Sequence, residues 1–192
     1  MSASDRYAQG AASRTAHMLI NAGLFQICWF LAVVLQSNWM WWAVVLMLAH
    51  ALIYVAGNLR ALRAVVFVAI LGIVLDTGLR WSGTYLFPGQ ELDIGAWMLP
   101  LWLYGLWLAF ALTIPISLSW LAQRRVLWVV SCGVIGPVSY LAGRKLGAID
   151  YPDVTIAVQA VQWSGLAWIT QDFLDVTVRD NDSDANSDVA QG

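Results

Sequence analysis

The chain has 192 residues, 60% of them apolar and only 11% charged, where a soluble domain carries roughly 25% charged residues. A formal charge of −2 offers no basic surface for nucleic acid and no strong field for an acidic substrate. So much apolar surface cannot be hidden inside a soluble core this small, which makes lipid the expected solvent.

In chain order, residues 1–17 are small and polar, with Arg6, Arg14 and His17, and are expected as a cytoplasmic arm. Six apolar runs then fill most of the stretch from Met18 to Leu174. The expected spans are 18–36, 39–57, 64–83, 96–120, 126–145 and 154–173, each long enough for the hydrocarbon layer at about 1.5 Å per residue. The first is longer than the core of a secretory signal and is expected to be retained. Links such as Ser37-Asn38 and 122–125 are short, which forces neighbouring helices antiparallel. The expected fold is all-α: a polytopic membrane protein, an antiparallel bundle of six transmembrane helices over residues 18–173. An acidic, disordered tail is expected over 174–192.

Orientation follows from the cations. Arg6, Arg14, Arg60, Arg63, Arg124, Arg125 and Arg179 fall on one side; Arg80, Arg144 and Lys145 fall on the other. Seven of ten on one side predicts both termini in the cytoplasm. Trp39, Trp41, Trp42, Trp81, Tyr85 and Trp97 collect at the expected outer boundary, Trp120 and Trp128 at the inner one, as interfacial aromatics do. The longest loop, residues 82–95, is expected outside and reads as a connector, a lid or a partner site.

Residues that are costly in lipid are the candidate functional ones. In span one these are Asn21 and Gln26, and in span two His50. Asp76 lies well inside span three, where a carboxylate costs about 2.5–3.5 kcal/mol on insertion scales. Arg80, four residues on, shares its helical face, so two readings stay open: an anchoring ion pair, or a protonatable carboxyl facing the bundle interior. Span five carries Gly133, Gly136, Tyr140, Gly143 and Gly147 at steps of three and four, a small-residue stripe for close helix packing that Tyr140 interrupts. Pro137 predicts a kink there, and Pro100 and Pro115 bracket span four. In span six Gln159 and Gln162 share a face, with Thr155 and Leu166 continuing it, as interhelical glue. Cys28 and Cys132 form no CxxC and read as inert packing. Two histidines in all leave no HExxH and no metal cluster, and no phosphate loop or nucleophile elbow is present, so no cofactor is expected.

Asn21 with FQICWF, His50, Asp76, PLWLYGLWLAFALT and GPVSYLAGRKLGAIDY follow one another as in a bacterial membrane family, domain of unknown function 2878, which the chain resembles over Leu19 to Trp168. The GPxxYxxGxxLGA segment is the most specific part. Where the family's fourth span carries Asn-His before Ser-Leu, this chain has Pro115-Ile116. The resemblance implies an inner-membrane protein of unknown activity in the neighbourhood of envelope lipid or stress functions. Three functions are carried forward: an accessory or structural component acting through envelope membrane proteins or lipid-modifying enzymes; a small proton-linked transporter using Asp76 with His50 or Tyr140; and a lipid-active membrane enzyme, for which only Asp76, His50, Tyr140, Asp150 and Asp172 are available.

Overall fold

The computed structural model describes residues 3–56, 58–88 and 98–171, with backbone alone at 3–8 and at 10. The expected acidic tail, and 89–95 of the outer loop with Glu91 and Asp93, lie outside the described residues. Seven helices make up the described chain: α1 Ala3–Val33, α2 Met40–Tyr54, α3 Leu59–Trp81, α4 Leu101–Thr113, α5 Ser119–Ala122, α6 Arg125–Lys145 and α7 over 155–171. The expected polar arm is not a separate element, because α1 begins at Ala3 and runs unbroken into the apolar run.

Among the described residues three helices are long and apolar enough to cross a membrane: Ala11–Val33 within α1, Leu59–Trp81 and Arg125–Lys145. Their outward faces suit lipid. Leu19 is 68% exposed, Val74 58% and Val126 78%, so large aliphatic side chains cover surface that water would penalise. α2 and α4 are shorter apolar helices of 15 and 13 residues.

The expected fourth span, 96–120, is the clearest departure. Pro115 has no N–H to offer the carbonyl of Ala111, and that carbonyl is taken instead by the amide of Ile114 at 3.3 Å. The helix therefore stops at Thr113, passes through a tight turn at 114–118 and resumes for four residues as α5. Pro137 behaves differently: it sits inside α6, which continues past it to Lys145.

α1 packs on α2 and α4, α3 and α2 both pack on α4, and α5 lies against α6, which makes α4 the buried axis. Six of its residues from Gly105 to Thr113 are buried. An isolated antiparallel bridge between Leu86 and Asp150 ties the end of α3 to the end of α6, so Arg80 and Arg144 share one end of the bundle. There the guanidinium of Arg144 pairs with Asp150 at 2.9 Å and Asp153 at 2.5 Å.

Bare glycine backbones set the closest contacts. A Cβ on Gly72 would lie inside the ring of Trp107, and one on Gly136 inside the ring of Trp163. A Cβ on Gly133 would meet the Ser164 hydroxyl, so the stripe on α6 packs α6 against α7. Gly143 has only ordinary contacts, to Ile149 and Val33. Gly147 does no packing: it follows the last turn of α6 at φ +77, the left-handed position that ends a helix, with open space around it.

Candidate functional site

Asp76 is fully buried on α3 and is the hub of the interior. Trp107 Nε1, from α4, donates to Oδ2 at 2.7 Å. The Tyr140 hydroxyl, from α6, donates to the same oxygen. Gln162 Nε2, from α7, donates to Oδ1 at 3.1 Å. Three neutral donors from three helices thus converge on one carboxyl, which offsets its insertion cost without a cation. Arg80 is directed elsewhere: its Nη1 donates to the Tyr85 carbonyl at 3.1 Å and its guanidinium lies 5.2 Å over the ring of Phe87. Two readings were open for Asp76; its described hydrogen bonds all come from neutral donors inside the bundle.

Aromatic rings seal the hub. Trp163 stacks on Trp107 with centroids 4.9 Å apart and meets Phe110 edge-on at 5.1 Å, while Tyr140 stacks on Tyr85 at 5.7 Å. Tyr85 is not the interfacial belt residue its position suggests. It is buried, its hydroxyl accepts from Gln159 Nε2 at 2.8 Å, and burial, with the nearby Asp76 charge, pushes its phenol above the ordinary range. Tyr151, 5.9 Å from it, is raised in the same direction, chiefly by burial. Thr155, Gln159, Gln162 and Leu166 form the face of α7 turned into the bundle.

Two further polar contacts tie α1 down. Asn21 Nδ2 donates to the Leu112 carbonyl at 3.3 Å, and the Ser117 hydroxyl donates to Asn21 Oδ1 at 2.7 Å. Leu112 is in the last turn of α4, whose carbonyls lose their ordinary partners where Pro115 breaks the helix, so Asn21 repairs that break. One turn before Asn21 on α1, His17 Nδ1 and His50 Nε2 lie 3.0 Å apart with stacked rings, flanked by Tyr54. His50 thus meets the other histidine rather than a backbone carbonyl or Asp76.

A cavity of about 330 Å³ opens between α1 and α6, and Gln26 is exposed at its mouth. A smaller one of about 70 Å³ continues it past Ser139 and reaches Tyr140 and Trp107. The walls of the larger carry two buried indole N–H groups, of Trp128 and Trp163, with no partner among the described residues. No group of three or more His, Cys, Asp or Glu able to hold a metal occurs among the described residues, and Cys28 and Cys132 are free and buried. Asp150 is engaged by Arg144, and Asp172 lies outside the described residues.

The family model described as "Protein of unknown function (DUF2878)" matches residues 18–169, most of the chain. The chain belongs to this family. The match runs from the start of the apolar part of α1 almost to the end of the described α7, so it takes in the Asp76 hub, the α4 break and the cavity together. No curated protein and no solved structure matches the chain.

Of the residues singled out in this DUF2878 sequence, Asp76, Tyr140 and Gln162 meet at the hub, with Gln159 joined through Tyr85. Asn21, Gln26, His50 and Arg80 lie apart from it. Sequence reasoning passes over Trp107 and Ser117. Trp107 is one of 12 tryptophans in apolar surroundings, and only its α4 register, opposite Gly72 on α3, marks it as a donor to Asp76.

Proposed function

We propose that this protein is a multi-pass bacterial inner-membrane scaffold that supports envelope lipid metabolism or stress response through partner contacts, without turning over a substrate of its own. The observation that carries this reading is the closed state of Asp76: fully buried, held by three donors from α4, α6 and α7, and facing neither cavity directly. A carboxyl engaged in acid–base chemistry would need access for a reactant, and the titratable group in its reach, the Tyr140 phenol, is itself committed to holding it. This one is built as a clamp. Six membrane crossings with both termini in the cytoplasm belong to the same proposal, supported by the bias of Lys and Arg and by the exposed aliphatic faces.

A proton-linked transporter is the second reading. It draws on the same carboxyl and on the small cavity that touches two of its donors, Trp107 and Tyr140. The two readings separate in a deletion strain examined by lipid mass spectrometry and complemented with Asp76→Asn. Asparagine keeps an acceptor for the shared Trp107 and Tyr140 bonds but cannot carry a proton. A scaffold predicts that the folded variant restores the lipid profile. A folded variant that fails to restore it sinks the scaffold in favour of proton chemistry.

A further inference from the structure

The larger cavity is built along α6. Its wall runs from Trp128 to Ser139, about 16 Å of helix, and its mouth is formed by Ala22 and Gln26 of α1 and Ile135 of α6, all exposed. At about 330 Å³ it falls in the range of small-molecule sites, roughly 300–1,000 Å³, and far exceeds the water-sized gaps that packed interiors tolerate. Both flanking helices are long and apolar enough to cross a membrane, so in a bilayer the medium at this mouth is hydrocarbon.

Hydrocarbon alone leaves one feature unanswered. Trp128 is 1% exposed, its indole nitrogen is buried without a partner among the described residues, and it lines the cavity at the end nearer the start of α6. An indole N–H only donates, so its complement is an acceptor oxygen. One turn away α6 begins: Arg124, exposed, occupies the N-cap with no side-chain cap on the first-turn amides, and Arg125 follows. Amides without a side-chain cap and the guanidinium of Arg124 at a helix start favour an anionic oxygen, while the guanidinium of Arg125 lies 4.1 Å over the Trp168 ring. From α6's start inward the order is therefore anion-binding end, buried Trp128 donor, and a largely apolar slot in which the Trp163 indole is a second donor. That order matches phosphate, ester and acyl chain.

We propose that this cavity holds one acyl chain of an anionic glycerophospholipid from the inner leaflet, with an ester oxygen on Trp128 Nε1 and the phosphate at Arg124 and the start of α6. The assignment rests on the membrane reading above and gives that scaffold a ligand.

The test uses the full chain in phosphatidylglycerol vesicles carrying a trace of a phosphatidylglycerol with a photoreactive acyl chain, with adducts mapped by mass spectrometry. Adducts are expected on Phe25 and Ser131, at least about five-fold above Val130, Val134 and Val138 on the outward face of α6. Ser131→Phe, which fills the slot, should abolish that excess, and Val130→Phe should not. Trp128→Phe keeps the wall but removes the donor and should weaken retention up to about ten-fold, the size of one hydrogen bond. Unlabelled phosphatidylglycerol should compete where phosphatidylcholine and free oleate do not. Labelling spread evenly over both faces, or unchanged by Ser131→Phe and Trp128→Phe, overturns the proposal. So does equal competition by phosphatidylcholine or oleate. Extraction of the chain by alkaline carbonate would mark a failure of the membrane reading itself, separate from an inserted chain with an unlabelled cavity.

Discussion

At Asp76 one carboxyl does the work that a salt bridge would do in a soluble bundle, and it does so with donors that carry no charge of their own. Charged partners would add their own desolvation cost in lipid, whereas an indole, a phenol and an amide add little. Replacing Asp76 with Leu leaves all three donors buried and unpaired, at about 1–3 kcal/mol each. Asp76→Leu should therefore lower thermal stability in detergent far more than Asp76→Asn, by several kcal/mol against about 1–2 kcal/mol, read from unfolding midpoints. Similar midpoints for the two variants would remove the hub from the fold's energetics. Asp76, Tyr140 and Gln162 stand out in the sequence because polar groups in lipid carry a visible cost. Trp107 and Tyr85 do not, since an aromatic residue in an aromatic-rich membrane chain is unremarkable until its neighbours are known. Spacing alone left two readings open for Asp76 and Arg80, because it gives which helical face a side chain shares and says nothing of a carbonyl five residues on.

Among the elements, helix boundaries follow local chemistry where a capping residue is present. Asn58 accepts from the Ala61 amide at 3.0 Å and starts α3 five residues before the apolar run expected to open that span. Asn58→Ala should cost about 1 kcal/mol, measurable as a lowered unfolding midpoint. The α6–α7 contact depends on absent side chains: Gly136→Leu would drive a branched side chain into the Trp163 ring and should prevent a folded monodisperse species in size exclusion, whereas Gly147→Ala, at a left-handed position in open space, should cost only about 1 kcal/mol. The stripe was legible as a stripe, but which of its glycines pack and which one ends the helix depends on where α6 stops. The length of α4 was legible least. Hydropathy continues unbroken through Ile114-Pro115-Ile116, so a pattern based on apolarity runs on where the hydrogen bonding cannot.

For the whole molecule, the proposed six crossings would place both extremities on one side, and reporter fusions at the two termini of the membrane-inserted chain should report the cytoplasm together. Opposite locations would break the six-crossing arrangement while leaving the Asp76 hub intact. The same bundle carries an asymmetry of reach. α2, with 15 residues, extends about 22 Å, against about 34 Å for the 23-residue α3, and α2 presents Val45, Leu46, Leu52 and Ile53 outward. A hydrocarbon layer about 30 Å deep would overhang α2 and fall short of α3. In the proposed six-crossing arrangement, lipids beside α2 would shorten or tilt to meet it, giving a dimple in the leaflet surface along one flank, a thin spot beside which a neighbour with equally short helices would sit at least elastic cost.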